Sequence, residues 1–182
     1  MATVKEIYEF INSVAPFDIQ EGFDNAGFLV GRKKQEVTGI LVALDITGEV
    51  AEEAARLGAE LIVAHHPVIF NPVKSVTDET LTGRVLLALA EQKIAAICAH
   101  TNLDAALGGV NDCLAEALEL TDVSQLCQEG VDAQGRPYGI GRVGTVHRPG
   151  LSAREYAAFV KEKLGSSDVR FVDGGGPVQR VS

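Results

Sequence analysis

The chain has 182 residues, 46% of them hydrophobic, and a net charge of −9 from 16 basic and 25 acidic side chains. That length and apolar content suit a globular chain of one to one and a half domains and exclude an intrinsically disordered one. The acidic balance argues against a nucleic-acid partner, whose phosphates are met by Lys and Arg, and no stretch approaches the roughly 20 apolar residues of a membrane helix. Thr3 and Glu6 form a capping box, and Val4, Ile7, Tyr8 and Ile11 recur at helical spacing until Pro16. Phe28-Leu29-Val30 reads as a short strand closed by Gly31, and a second strand spans about 39–45. Between them Arg32-Lys33-Lys34, the densest basic run, reads as a solvated loop. Thr47 caps a helix with Val50, Ala54 and Leu57 on one face, ended by Gly58. The strand Leu61–Ala64 follows, then a loop, a helix carrying Val85, Leu86, Leu89 and Ala90, and a strand over 94–99. A helix from about 109 to 119 turns Val110, Leu114, Ala117 and Leu118 inward.

This alternation predicts an α/β fold with a mostly parallel sheet flanked by helices, because the crossovers are long enough for parallel pairing. Over 121–138 the pattern weakens, with a turn or hairpin tip at 132–137. Ile140–Val146 is a strand candidate, and Ser152 with Glu155 forms a second capping box ahead of Tyr156, Phe159, Val160 and Leu164. Val169–Val172 reads as a strand, Gly174–Pro177 as a turn, and Val178 onward as the start of another apolar element. Two regions are expected: 1–125, an α/β lobe carrying the chemistry, and 126–182, a connecting strand-helix-strand segment that begins a second lobe. Met1 to Ala15 lacks the apolar centre of a secretion signal, and three cysteines without paired spacing suit a reducing, cytoplasmic setting.

The chemistry gathers at strand ends. Leu61–Ala64 runs straight into His65-His66-Pro67, the strand before it ends in Asp45, and the strand 94–99 ends in His100-Thr101-Asn102-Leu103-Asp104. In an open α/β sheet the carboxyl ends of the strands are where ligands bind. Adjacent residues on a regular strand face opposite ways, so His65 and His66 share a site only if the strand has ended, and Pro67 favours that. Neutral imidazole suits zinc, iron, nickel and related metals, and a carboxylate adds charge and can bridge two ions. The plain alternative is a pair of strand-end histidines bonded to backbone. Asp45 reads as a ligand, as an acceptor behind a ligand, or as the acid opening the next helix; the last two fit best. His147, beside Arg148-Pro149, reads as surface, and Cys98 as a small core residue. No complete phosphate loop or nucleophile elbow occurs.

Three segments in order, Asp24-Asn25-Ala26-Gly27-Phe28-Leu29-Val30-Gly31, Ala64-His65-His66-Pro67-Val68-Ile69-Phe70 and His100-Thr101-Asn102-Leu103-Asp104-Ala105-Ala106 with Gly108-Gly109-Val110-Asn111-Asp112 after it, resemble the GTP cyclohydrolase 1 type 2 homologue family, also called NGG-interacting-factor-three-like. The resemblance implies a two-lobed α/β fold, a dinuclear centre of divalent ions (zinc, iron, manganese or nickel), and assembly as a homohexamer. It makes His65, His66 and Asp104 metal ligands and sets His100 in the shell behind them; Asn102 of the same motif and Asp45 are read with it as supporting residues. No residue is assigned a catalytic acid or base role. The family completes its site with a His and a Glu from a Gly-His-x-x-(Ser/Thr)-Glu-type motif, whereas this sequence has no His beyond His147 and no Glu beyond Glu162. A partial site and an incomplete second lobe are therefore expected. The family name implies hydrolytic ring opening of GTP or of a similar small molecule; the alternative is a non-enzymatic metal-binding or regulatory protein.

Overall fold

Thr3 starts the first helix as its sequence requires. Its hydroxyl accepts the Glu6 amide, and the Glu6 carboxylate returns to the Thr3 amide at 2.7 Å. The computed structural model describes residues Met1–Ser182, which divide into two units, Met1–Leu103 and Asp104–Ser182.

The first unit runs β1 (Ala2–Thr3), α1 (Val4–Val14), β2 (Gly27–Val30), β3 (Glu36–Val37), β4 (Ile40–Ala43), α2 (Gly48–Leu57), β5 (Leu61–Ala64), α3 (Leu81–Glu91) and β6 (Ala95–Cys98). Gly58 ends α2 in the left-handed conformation, φ 69°, which glycine adopts without steric cost. The central sheet has the order β2-β6-β5-β4. β4, β5 and β6 are parallel neighbours, in register Ile40 to Leu61 and Leu61 to Ala95. Alternate residues of β5 and β6 feed two cores. Ile62, Ala64, Ala96 and Cys98 pack with Ala51, Ala54, Val85 and Leu89 from α2 and α3. Leu61, Ala95 and Ile97 pack with Val4, Phe17 and Val37. Strands buried on both faces leave polar side chains no room except at their ends.

The sheet is mixed, not mostly parallel as the alternation suggests. β2 pairs antiparallel with β6, Gly27 opposite Cys98, with an irregularity between Phe28 and Val30. An edge strand that is not the product of a crossover is free to take either direction. The direction taken sets Asp24 and Asn25, just before β2, beside the carboxyl end of β6.

In the second unit come α5 (Val110–Ala117), β7 (Leu120–Gln125), β8 (Gly130–Val131), β9 (Pro137–Tyr138), β10 (Arg142–Val146), α6 (Ala153–Lys163) and β11 (Arg180–Val181). The short helix before them, α4 (Thr101–Ala105), spans the boundary between the units. β7, β10 and β11 form an antiparallel sheet, β8 and β9 a hairpin across the turn expected at 132–137, and Ser152 with Glu155 closes the second capping box. The strand expected at Val169–Val172 does not form. The edge of β10 is taken instead by Arg180 and Val181, and Val172 is 94% exposed with no ladder partner. β7, where the sequence pattern weakened, is a six-residue strand. No helix is long and apolar enough to cross a membrane.

Candidate metal centre

Where β5 ends, the backbone still pairs toward β4: the His65 amide donates to Ala43 O at 3.3 Å and the His66 amide to Leu44 O at 2.9 Å. Strand geometry then gives way to a bend before Pro67, and the two imidazoles no longer diverge. Their ring centroids lie 5.0 Å apart, and the His100 ring stands 5.1 Å from His65 and 5.6 Å from His66. The three offer ligand atoms that all lie within 4.8 Å of one another.

Each ring is oriented through Nδ1. His65 Nδ1 is 2.9 Å from Ala99 O, His66 Nδ1 2.8 Å from an Asp45 carboxylate oxygen, and His100 Nδ1 2.8 Å from an Asp24 carboxylate oxygen. A carbonyl or carboxylate oxygen there only accepts, so Nδ1 is the donor in each contact, and in a neutral imidazole that leaves the lone pair on Nε2. An imidazole whose second nitrogen is held by such an acceptor is the arrangement metal-ligating histidines adopt. The donor set therefore fits a borderline divalent ion of the zinc, iron or nickel kind.

The two carboxylates differ. Asp45 and His66 form a half-exposed pair, whereas the Asp24 side chain is fully buried. Burial alone would raise the Asp24 carboxyl, but hydrogen bonds from Thr101, His100 and the Asn25 amide outweigh it and hold the group below the usual carboxylate range. Asn25 Nδ2 donates to Ile69 O at 2.6 Å, so the Asp24-Asn25 pair ties the His100 segment to the one carrying His65 and His66. Asn102, fully buried, touches no imidazole: its Oδ1 accepts the His100 amide and its Nδ2 donates to Ala15 O, both within 2.9 Å. It fixes the main chain from which His100 projects. Burial pushes the Cys98 thiol up to about 11, so it stays protonated and serves as core.

Of the residues singled out in the sequence, His65, His66 and His100 come together. His100 thus contributes a nitrogen to the same group as the pair it was expected to support. Asp45 takes the acceptor position behind His66. Asp104 lies in the Thr101–Ala105 helix, four residues after His100, at the first position of the second unit. There three successive carbonyls are held within that unit: Asp104 O by Asn111 Nδ2, Ala105 O by the Gly139 amide and Ala106 O by Arg142. His147 is exposed. Asp24 was missed as an orienting group. Its only signal was its place at the head of the first recognisable segment, 76 residues from its partner.

A family profile described as Duf34/NIF3 (NGG1p interacting factor 3) matches residues 2–182. "GTP cyclohydrolase 1 type 2 homolog" of Clostridium perfringens is 38% identical over 168 residues, 92% of this chain and 63% of its own. The protein of that name from Streptomyces coelicolor is 39% identical over 164 residues, 90% of this chain and 57% of its own. Among solved structures, Staphylococcus aureus hypothetical protein SA1388 superposes with a TM-score of 0.89 at 29% identity, over 98% of this chain and 70% of its own. The chain spans about three fifths of the length of these two curated relatives.

Proposed function

The chain belongs to the DUF34/NIF3 family, and from that premise we propose a metal-dependent hydrolase acting on a nucleotide-like small molecule, GTP by the relatives' name, at a dinuclear centre of divalent ions. The observation that carries the reading is the group of three imidazoles, each committed through Nδ1 to an acceptor. His65, His66 and His100 supply nitrogen donors, and Asp104 supplies the carboxylate that the family resemblance assigns. A bound divalent ion acts as a Lewis acid and makes a water nucleophilic at neutral pH. The chain's own residues hold the geometry for it: Asp24 and Asp45 fix ring orientation, and Asn102 fixes the His100 backbone. A homohexamer in the cytoplasm completes the proposal.

A second reading, a metal-binding or regulatory protein without turnover, draws on the hollow beside His66. This space of about 560 Å³ is lined by Asp45, Glu49 and Glu52 and by no Lys or Arg, a poor setting for a triphosphate. Titration with zinc, iron(II), manganese and nickel, followed by incubation with GTP, separates the readings. Saturable binding that is lost in His65→Ala/His66→Ala, with metal-dependent loss of GTP, is the expected result. Equal metal content in the double variant rejects the site; metal binding without turnover favours the second reading. Native mass spectrometry reads the assembly.

A further inference from the structure

The histidine cluster follows the carboxyl ends of β5 and β6. At the other end of the same sheet the first unit has an open hollow of about 950 Å³, walled by Glu60 before β5, by Lys93 and Ile94 before β6 and by Gly31 after the antiparallel β2. That size lies within the range of small-molecule sites. Val30, Ala90 and Ile94 give it an apolar floor, and Arg32, Lys34 and Lys93 stand around it. None of these three cations is ion-paired. In a chain of net charge −9, three unpaired cations at one hollow reverse the local field.

The walls are built rather than loose. Gln35 Nε2 donates to Glu60 O at 3.1 Å and to Lys93 O at 2.7 Å, joining the two strand entries. Gly31, at φ +112°, lies so close to β6 that a Cβ there would meet the Ala95 Cβ at 2.7 Å; the chain turns flush against the sheet as it delivers Arg32. The carboxylate in the wall, Glu60, is occupied by the Thr38 and Gly39 amides at 2.9 and 3.0 Å. Three carbonyls of the last turn of α3, which would otherwise repel an anion, are taken: Ala88 O by the Gln92 amide, Leu89 O by the Ile94 amide and Ala90 O by the Lys93 amide.

We infer that this hollow is a second binding site, for a small organic anion whose phosphate or like group meets Arg32, Lys34 and Lys93 while its apolar body lies on Val30, Ala90 and Ile94. The inference is independent of the metal chemistry proposed above. The test is titration of phenyl phosphate into the isotope-labelled, metal-free chain, followed by amide NMR. Saturable shifts at Gly31, Arg32, Gln35 and Lys93 are expected, with none from benzyl alcohol. Arg32→Ala/Lys34→Ala/Lys93→Gly should weaken binding at least about tenfold. The variant should fold, since Arg32 and Lys34 are exposed and Lys93, at φ 56°, holds a helix-end position that glycine favours; its retained amide dispersion checks this. No saturation by about 10 mM, a Kd limit of weak binding, or undiminished binding by the triple variant would overturn the site. Inorganic phosphate binding as tightly as phenyl phosphate would overturn the organic part of the assignment.

Discussion

β5 has four residues and is buried on both faces, whereas β7, with six, is mostly exposed and pairs antiparallel. The first unit holds its strands by apolar packing from two sides, so its polar chemistry is driven to the strand ends, and the three imidazoles collect there. The second unit has a thinner core and relies on polar contacts. Arg142 is its centre: 6% exposed, it bonds both oxygens of Asp112 and the carbonyls of Gly139, Gly141 and Ala106. Burial would raise the Asp112 carboxyl, but Arg142 and the Gly108 amide together outweigh it and hold the group below the usual carboxylate range. The second unit uses its buried charge to satisfy its own carboxylate and carbonyls, whereas the first sets a buried carboxylate, Asp24, against the ring of His100 at the strand ends.

The sharpest way to break this contrast is at Arg142. Arg142→Met strands the Asp112 carboxylate and three carbonyls, and should cost about 3–5 kcal/mol in urea denaturation. A loss below about 1 kcal/mol would show that packing, not the ion pair, holds the second unit. Leu61→Ala, at a fully buried position of β5, should cost about 2–5 kcal/mol, against no more than about 0.5 for Val123→Ala on the exposed part of β7. Equal losses would erase the difference between the two sheets.

Within the first unit, the two orienting carboxylates should separate by burial. Asp24→Asn should weaken zinc binding about 100-fold and the half-exposed Asp45→Asn about 10-fold, read by competition with a chromophoric chelator. The reverse order would show that His66 dominates the donor set. The smallest effect concerns pH. The amides of Thr38 and Gly39 and the Thr38 hydroxyl hold the Glu60 carboxyl at about 2, below its ordinary 4.5. A lowered folded value stabilises the native state above about 4.5, and that contribution is lost as the pH falls toward about 2. Glu60→Gln should therefore lower the Tm by a few degrees at pH 7, with the gap to wild type closing in acid. A gap that is constant with pH would assign the effect to shape rather than charge.

Much of the first unit was readable from local rules. Thr3 and Thr47 cap the helices expected of them, and the apolar runs of β4, β5 and β6 pair in parallel as their crossovers require. His65 and His66 could be placed because one strand end and one proline determine where both rings emerge. The Val169–Val172 run forms no strand although its residues favour one, because β-propensity says only what can pair, and the edge of β10 is occupied by Arg180 and Val181.

By itself, then, the sequence determined what depends on neighbours along the chain: capping, periodicity, burial of the central strands and the arrival of two imidazoles at one strand end. Tertiary structure alone decided what depends on distant partners. The reversed direction of β2, the bond from Asp24 to His100 across 76 residues, and the grouping of Arg32 and Lys34 with Lys93 all follow from strand pairing. Pairing joins segments by backbone hydrogen bonds that carry no side-chain signature, so the free energy of the whole sheet selects the partner and the direction.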